Sequence, residues 1–164
     1  MRGMSRLIYF NYNCDNGYIF SEVFKRVIKM TEKKFKNITI YTHTKYVPEQ
    51  SDPGHQKFVW SYEITINNQS EEIIQLLNRY WRITDMTGKI DEIRGAGVVG
   101  LQPLIKPSKQ FTYTSYCQLL TPQGTMEGRY EMQNLEEEHF EVTIPKFILS
   151  APTSVTSTFK SRLH

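Results

Sequence analysis

A two-residue alternation in the segment 58–66, in which every second side chain is apolar, constrains the fold more than any other feature. The apolar series is Phe58, Trp60, Tyr62, Ile64 and Ile66, and the residues between them are Val59, Ser61, Glu63 and Thr65. Successive side chains of a β-strand point to opposite faces of its sheet, whereas a helix repeats its apolar residues every three or four positions. The segment therefore predicts a strand with one face on a core and the other in water.

The same alternation recurs in four later segments, which we predict to be further strands. Their same-face series are Leu77, Arg79, Trp81 and Ile83; Phe111, Tyr113 and Ser115; Met126, Gly128, Tyr130 and Met132; and Phe140, Val142 and Ile144. Asp85-Met-Thr-Gly88 fits a tight hairpin turn, and Thr121-Pro-Gln-Gly124 has the proline and glycine of a type I turn. Several short strands with regular turns predict an all-β, fibronectin type III/immunoglobulin-like β-sandwich of about seven or eight strands, with Trp60 and Trp81 in its core.

The charge of the chain is concentrated at its start. The net charge of the 164 residues is +3, but residues 1–36 carry +5 and residues 37–152 carry −4. A module that binds nucleic acid through its phosphates needs clustered positive charge, which the acidic body does not provide. We therefore do not expect a nucleic-acid partner.

The two cysteines and the absence of long apolar runs bear on the cellular compartment. Cys14 and Cys117 lie far apart and match no metal-binding or disulfide spacing, so we expect free, buried thiols in a reducing cytoplasm. No apolar run reaches the roughly 18 residues of a membrane span, and the apolar stretch near the start is too short for a secretory signal. We expect a cytoplasmic protein with no membrane association.

Three segments differ in composition, and we predict three regions: an N-terminal extension at 1–29, a sandwich domain at 30–152 and a polar tail at 153–164. The extension contains a short basic amphipathic pattern, which fits a targeting presequence, a packing helix or a translated upstream leader. We favour the leader, with Met30 as the biological start. From Met30 onward the net charge is zero. The tail is small and polar, and we expect it to be disordered.

One motif could carry chemistry, the segment Arg94-Gly-Ala-Gly-Val-Val-Gly100, which matches GxGxxG. A dinucleotide site also needs a helix after the glycines, and Pro103 and Pro107 disfavour one, so we reject that site. Two interpretations stay open. The glycines permit positive φ in a tight inter-strand loop, or they form a nest of backbone N–H groups that binds phosphate or pyrophosphate beside Arg94. The candidate anion-binding residues are Arg94, Gly95, Gly97 and Gly100.

Several motifs in one order give the chain a resemblance to the ApaG family. They are Tyr46-Val-Pro-Glu-Gln-Ser-Asp-Pro53, Trp60-Ser-Tyr-Glu-Ile-Thr-Ile-Asn67, Gln75-Leu-Leu-Asn-Arg-Tyr-Trp-Arg-Ile-Thr-Asp85, Arg94-Gly-Ala-Gly-Val-Val-Gly-Leu-Gln-Pro103, Tyr113-Thr-Ser115 and Thr121-Pro-Gln-Gly-Thr-Met-Glu-Gly-Arg-Tyr130. The resemblance implies a fibronectin type III-like sandwich in a small bacterial cytoplasmic protein linked to magnesium and cobalt homeostasis. It implies no catalytic residues, and its glycine motif maps onto Gly95, Gly97 and Gly100.

The remaining candidates for chemistry are isolated. The histidines are His43, His55, His139 and His164, and none forms HxxH, HxxxH or HExxH, so we predict no metal site. Asp52 and His55 could form an acid/base pair, but no nucleophile or GxSxG motif accompanies them. The acidic run 136–138 fits a solvated turn. We expect no cofactor and no catalysis, and we predict a binding module for an unidentified protein partner; the alternatives are anion binding at the Gly95–Gly100 loop and an indirect role in divalent cation homeostasis.

Overall fold

Two antiparallel β-sheets face each other in the computed structural model, which describes residues 37–156. The strands are β1 Ile38–Tyr46, β2 Phe58–Asn68, β3 Ile74–Asp85, β4 Ile90–Ala96, β5 Leu104–Ile105, β6 Lys109–Leu119, β7 Gln123–Asn134 and β8 His139–Ser150. One sheet has the order β1-β2-β6, and the other has the order β4-β3-β7-β8, with β5 also paired to β3. The predicted β-sandwich and its predicted number of strands are confirmed.

The apolar faces of the alternating segments meet between the sheets. Trp60 and Trp81 are each 1% exposed, which confirms that both are core residues. The ring of Tyr62 meets Trp81 edge-on with 5.6 Å between centroids, a geometry that aromatic pairs favour. Gly128 allows Tyr80 and Trp81 of β3 to approach the backbone of β7 closely, because a Cβ there would clash with the carbonyl oxygen of Tyr80 and lie 2.9 Å from Trp81 Cε3.

Two β-bulges change which residues face the core. The register of β3 against β7 steps from Leu76 to Asn78, so Leu77 is an extra residue. The alternation places Leu77 with Trp81, but Leu76 is the buried residue, because an inserted residue exchanges the two faces of a strand. A second irregularity falls in β8 opposite Glu127.

The two predicted turns differ in outcome. The hairpin turn at Asp85–Gly88 is confirmed, since the Gly88 N–H donates to the Asp85 carbonyl oxygen at 3.1 Å and Gly88 has φ +88°. The prediction of a type I turn over 121–124 is wrong for Gly124, because β7 already begins at Gln123. Gly124 instead lies in the ladder, where a Cβ would come within 2.8 Å of the Thr84 carbonyl oxygen.

Residues 153–156 form one helical turn, so the expectation of disorder is wrong for this part of the tail. The N–H groups of Val155 and Thr156 donate to the Pro152 carbonyl oxygen, and Val155 packs against the core. The expectations for residues 1–29 and for the tail beyond residue 156 lie outside the described residues. In the part of the chain that the structure describes, no helix is long and apolar enough to cross a membrane.

Candidate functional site

The glycine motif is divided between a strand and a tight turn. Arg94 and Gly95 belong to β4, whereas Gly97 and Gly100 follow its end. The next regular element after Gly100 is the two-residue strand β5 and not a helix. The prediction that Pro103 and Pro107 prevent a helix is confirmed, and with no helix N-terminus the segment lacks the amides that would hold a dinucleotide pyrophosphate.

Val99 and Gly100 are the central residues of a two-residue turn. The N–H of Val98 donates to the Leu101 carbonyl oxygen at 2.8 Å, and the N–H of Leu101 donates back to Val98 at 2.9 Å. Val99 has φ +45° and Gly100 has φ +79°, the signs that a type I′ turn requires. Val99 is thus a β-branched residue in the left-handed region, where branching at Cβ is costly. This strain could not be predicted from the sequence, because asparagine or glycine, and not valine, usually marks that position of the turn.

The N–H groups of this segment are largely used within the fold. The Gly97 N–H donates to the Leu77 carbonyl oxygen at 2.7 Å, and the N–H groups of Val98 and Leu101 bond each other's carbonyls. A Cβ on Gly97 would clash with the Leu101 carbonyl oxygen, and its φ is +56°. The turn's geometry therefore accounts for Gly97 and Gly100, and these three amides are not open to an anion.

Arg94 and Gly95 lie at a depression on the outer face of the larger sheet. This outer depression has a volume of about 510 Å³ and is lined by Asn78, Arg79, Tyr80, Arg94, Gly95, Ala96, Arg129, Glu131 and Glu141. The guanidinium carbons of Arg94 and Arg129 lie 4.8 and 4.4 Å from the centroid of the Tyr80 ring, which they flank from the two neighbouring strands. Such cation–π contacts hold an exposed arginine in place. Arg129 also pairs with Glu141 at 2.9 Å.

A second concavity lies on the inner side of β4. This edge groove, between β4 and β6, has a volume of about 530 Å³ and is lined by Tyr62, Arg79, Trp81, Ile83, Asp91, Ile93, Val98, Val99, Gly100, Tyr113, Ser115, Tyr116, Cys117, Gln118, Leu119 and Met126. The structure thus separates the predicted anion residues, because Gly100 lines the edge groove and Arg94 lines the outer depression. Gly97 lies between them in the chain.

The edge groove exists because the smaller sheet does not cover β4. Ile93 is the register partner of Trp81, so both side chains point to the inner face. Trp81 is 1% exposed, but Ile93 is 44% exposed. The opposite side of the sandwich is closed, since Thr44 of β1 donates a hydrogen bond to the Ile148 carbonyl oxygen of β8 at 3.3 Å. Among the described strands, β4 pairs only with β3, and β6 pairs along its length with β2, so both present a free edge at the groove.

Arg79 is a cation on the inner face of β3. Its Nη1 donates to the carbonyl oxygens of Ala96 at 2.9 Å and Gly97 at 2.7 Å. Gly95 makes room for it, because a Cβ there would lie 3.0 Å from Arg79 Nη1. Within residues 37–156, the ion pairs of the structure do not include Arg79. The groove therefore holds a positioned guanidinium without a carboxylate from the described chain.

The tyrosine hydroxyls and the cysteine thiol in and beside the edge groove stay in their neutral forms. Burial raises the pKa of Tyr62, although a hydrogen bond with Ser115 opposes the shift. Burial also raises the pKa values of Tyr113 and Tyr130, whose hydroxyl oxygens lie 2.6 Å apart. Burial, with a smaller contribution from the charge of Asp91, raises the pKa of Cys117 to about 11. At neutral pH these groups are uncharged, and the Cys117 thiol is free and buried as the sequence predicted.

The other candidate residues have local structural roles. Asp52 and His55 do meet, with 2.7 Å between Oδ2 and Nδ1, and this hydrogen bond lowers the pKa of Asp52. Both side chains are exposed, and Asp52 caps the 3₁₀ turn Pro53–His55. The acidic run lies in the β7–β8 hairpin, where the N–H groups of Glu136 and Glu138 donate to Asn134 Oδ1. No group of three or more His, Cys, Asp or Glu residues that could hold a metal occurs in the described part of the chain.

The sequence reading missed the edge groove and its residues. One signal was present: Arg79 stands in a series with Trp81 and Ile83 that the alternation assigns to the core. A charged residue at an inward position needs a partner or an opening, so this series could have indicated a site. No pattern in the sequence shows that the smaller sheet ends before it covers Ile93.

Comparison with known proteins gives a consistent result. A family model described as the ApaG domain matches residues 48–134. The Protein ApaG of Mesorhizobium japonicum is 48% identical over 117 residues, which are 71% of this chain and 90% of that protein. The Protein ApaG of Parvibaculum lavamentivorans is 47% identical with the same coverage. A crystal structure of a Bordetella pertussis protein named ApaA superposes with a TM-score of 0.69 at 44% identity, covering 71% of this chain and 94% of that one.

Proposed function

The chain belongs to the ApaG domain family, and from this premise we propose that it is a non-catalytic protein-binding module whose partner docks at the edge groove. The single observation that carries the proposal is the uncovered inner face of β4. Ile93 faces the interior of the sandwich and is nevertheless 44% exposed, beside edges of β4 and β6 that pair with no further strand within residues 37–156. Unpaired strand edges next to apolar surface are what proteins that bind extended segments offer to a partner.

Exposed apolar side chains around the groove support this role. Tyr116, Val99 and Leu101 are all more than half exposed, and Val99 and Tyr116 line the groove. Tyrosine is enriched in protein interfaces because it buries a large rigid surface at a small entropic cost. The strain at Val99 is of the kind that proteins retain where a function needs it.

The state of the titratable groups supports binding rather than catalysis. A nucleophilic cysteine needs a lowered pKa, whereas the pKa of Cys117 is raised to about 11. The Asp52–His55 pair is exposed and serves as a turn cap, and it does not line the edge groove. The family resemblance implies an indirect role in magnesium and cobalt homeostasis. We propose that the chain has this role through its protein partner.

Affinity capture with matched variants tests the proposal. The full chain is immobilised as the wild type, as Ile93→Glu and as Leu135→Glu, and each is incubated with the same bacterial lysate. Ile93→Glu puts a charge into the edge groove. Leu135→Glu is the control, because Leu135 is 69% exposed in the hairpin after β7 and does not line the groove.

We expect a protein that the wild type and Leu135→Glu retain and that Ile93→Glu loses. Circular dichroism and thermal midpoints of the three chains verify that the folds are equivalent. A partner held equally by all three chains would contradict docking at the edge groove.

The outer depression supports a second candidate, anion binding. Among residues 37–156, the Arg94 guanidinium contacts the Tyr80 ring and enters no ion pair that the structure contains. Arginine binds phosphate through paired N–H groups, and Gly95, next to Arg94, lines the same depression. Inorganic phosphate or pyrophosphate is the ligand class that this arrangement fits.

Titration of pyrophosphate against isotope-labelled protein tests the second candidate. Saturable shifts at the amides around Gly95, abolished by Arg94→Ala, would support it. Arg82→Ala is the matched control, since Arg82 lies on the same face but pairs with Glu127 at 3.9 Å. Unmoved amides up to millimolar pyrophosphate, or equal shifts in Arg94→Ala, would overturn it.

A further inference from the structure

We propose that the edge groove binds an extended peptide that pairs with the free edge of β6 and presents an acidic and an apolar side chain, two residues apart, to Arg79 and Ile93. This inference rests on the proposed function and specifies the chemistry of its partner. Three observations support it: the two sheets differ in their number of strands, Arg79 is positioned at the groove, and the charges follow a fixed order along the groove.

The unequal sheets define where the added strand would lie. In the described part of the chain, the smaller sheet has three strands and the larger has four long ones, and a hydrogen bond joins β1 to β8 at their shared side. A fourth strand beside β6 would lie about 4.8 Å from it and would face β4. That strand would cover Ile93, an inward-facing apolar residue that the described sandwich leaves exposed.

Arg79 supplies the charge that selects the peptide. Its Nη1 is held by two carbonyl oxygens, and its remaining N–H groups have no carboxylate acceptor among the described residues. A guanidinium has five N–H donors and binds a carboxylate with two of them in parallel. Because Arg79 is fixed on β3 and partly buried, an acidic side chain can pair with it without ordering a flexible arginine.

The groove presents its features at the two-residue spacing of a strand. The inner face of β4 carries Gly95, Ile93 and Asp91, which are the partners of Arg79, Trp81 and Ile83. β6 lines the same groove with Tyr113, Ser115 and Cys117, which are also spaced two residues apart. A strand alternates its side chains, so residues i, i+2 and i+4 of a bound peptide face Arg79, Ile93 and Asp91. The peptide chemistry that fits is acidic, apolar and then basic or polar.

The test is selection of random heptapeptides displayed on phage by the full-length protein. The most enriched peptide is then synthesised, together with a counterpart whose acidic residue is replaced by lysine. Binding of both peptides is measured by fluorescence anisotropy on the wild type, Ile93→Glu, Leu135→Glu and Arg79→Glu. Circular dichroism verifies the fold of each variant.

We expect the enriched peptides to carry an acidic and an apolar residue two positions apart. Replacing the acidic residue by lysine should weaken binding to the wild type by about tenfold or more, because the Arg79 pair is lost. On Arg79→Glu the preference should reverse, so that the lysine peptide binds more tightly. Should Arg79→Glu fail to fold, the peptide exchange on the wild type decides the question.

Three other outcomes would overturn this inference, and they differ in what they mean for the proposed function. Binding that is lost in Ile93→Glu but is indifferent to the acidic residue would overturn this inference and leave the proposed function standing. Binding that is unchanged in Ile93→Glu would overturn both. A wild-type dimer in sedimentation analysis that Ile93→Glu dissociates would show a second copy of the chain in the groove, which also overturns the inference.

Discussion

At the scale of single residues, the edge groove combines two side chains that folding alone does not favour. Arg79 brings a guanidinium to the inner face of a sandwich, and its two hydrogen bonds to carbonyl oxygens offset part of the cost of removing it from water. Val99 adopts φ +45° in a turn where asparagine would fit better. Both residues line the same groove.

The strain at Val99 gives a direct prediction. Val99→Asn should stabilise the fold by about 1 kcal/mol, because asparagine tolerates the left-handed region that penalises a β-branched residue. Urea unfolding measures this gain in stability as a higher midpoint, with an unchanged dependence of the unfolding free energy on urea concentration. Leu101→Asn is the control, since Leu101 is equally exposed but has no positive φ. A midpoint for Val99→Asn at or below the wild-type value would show that the turn is not strained.

The pKa of Cys117 predicts a pH dependence of stability. The folded pKa is about 11 and the unfolded value is 9.0, so the unfolded chain loses its proton first as the pH rises. The stabilisation is fully present below pH 9 and is lost progressively as the pH rises towards 11. Chemical unfolding at pH 7, 9 and 10 should show a steeper loss for the wild type than for Cys117→Ala. Equal slopes for the two chains would show that the thiol is not buried.

At the scale of the elements, alternation predicted the strands but not their irregularities. The five predicted strands are present because each buries one face, which enforces a period of two. The bulge at Leu77 was not predictable, because one inserted residue leaves the local pattern intact and only exchanges its faces. The local sequence Pro-Gln-Gly predicts a turn at Gly124, whereas in the structure Gly124 allows close approach to Thr84 across the ladder.

The candidate site was predicted only in part for the same reason. The glycine motif located a tight turn correctly, and the two following prolines excluded a helix. The edge groove forms because the described part of the smaller sheet ends at β6. Where a sheet ends depends on tertiary structure, and no local sequence pattern shows it. Sequence reasoning therefore reached Arg94 and the glycines but not Arg79 and Ile93 as a pair.

The β3–β4 hairpin depends on one carboxylate. Asp85 Oδ1 accepts hydrogen bonds from Thr87 N at 2.8 Å, Thr87 Oγ1 at 2.7 Å and Lys89 N at 3.0 Å. Burial would raise the pKa of Asp85, but these bonds outweigh it and the pKa is lowered. The carboxylate thus stabilises the fold above its unfolded pKa of 3.8, and this contribution is lost as the pH falls below that value.

Asp85→Ala should destabilise the protein by about 1 kcal/mol at neutral pH and increase amide exchange in β4. Asp85→Asn is the matched control, because its Oδ1 can accept the same three bonds, and it should lie closer to the wild type. Thermal unfolding and hydrogen exchange measure both effects. If the two variants were equally destabilised, charge rather than acceptor geometry would hold the turn.

At the scale of the whole molecule, the described fold is a sandwich closed at one side and open at the other. The closed side joins β1 to β8, and on the open side the edges of β4 and β6 around the groove pair with no further described strand. Exposed edges favour aggregation unless they are protected or used. Their position beside Arg79 and Ile93 is the reason why we assign them to a partner.

The sandwich should not need the N-terminal extension. The alternating pattern begins at Ile38 with β1, and the described strands bury a core cluster that includes Trp60 and Trp81. A chain that begins at Met30 should therefore keep its thermal midpoint to within about 5 °C, which corresponds to roughly 1 kcal/mol for a domain near this size. Differential scanning calorimetry of the two chains measures it. A larger loss would place the extension within the folded unit.

Hydrogen exchange on the complex with the affinity-captured partner tests the edge groove most directly. The amides of β6 and β4 should become protected when the partner binds, because its chain would occupy the groove and pair with β6. The amides of the β7–β8 hairpin should exchange as in the free protein. Protection confined to the outer face around Tyr80 and Arg129, with β6 unchanged, would contradict the account.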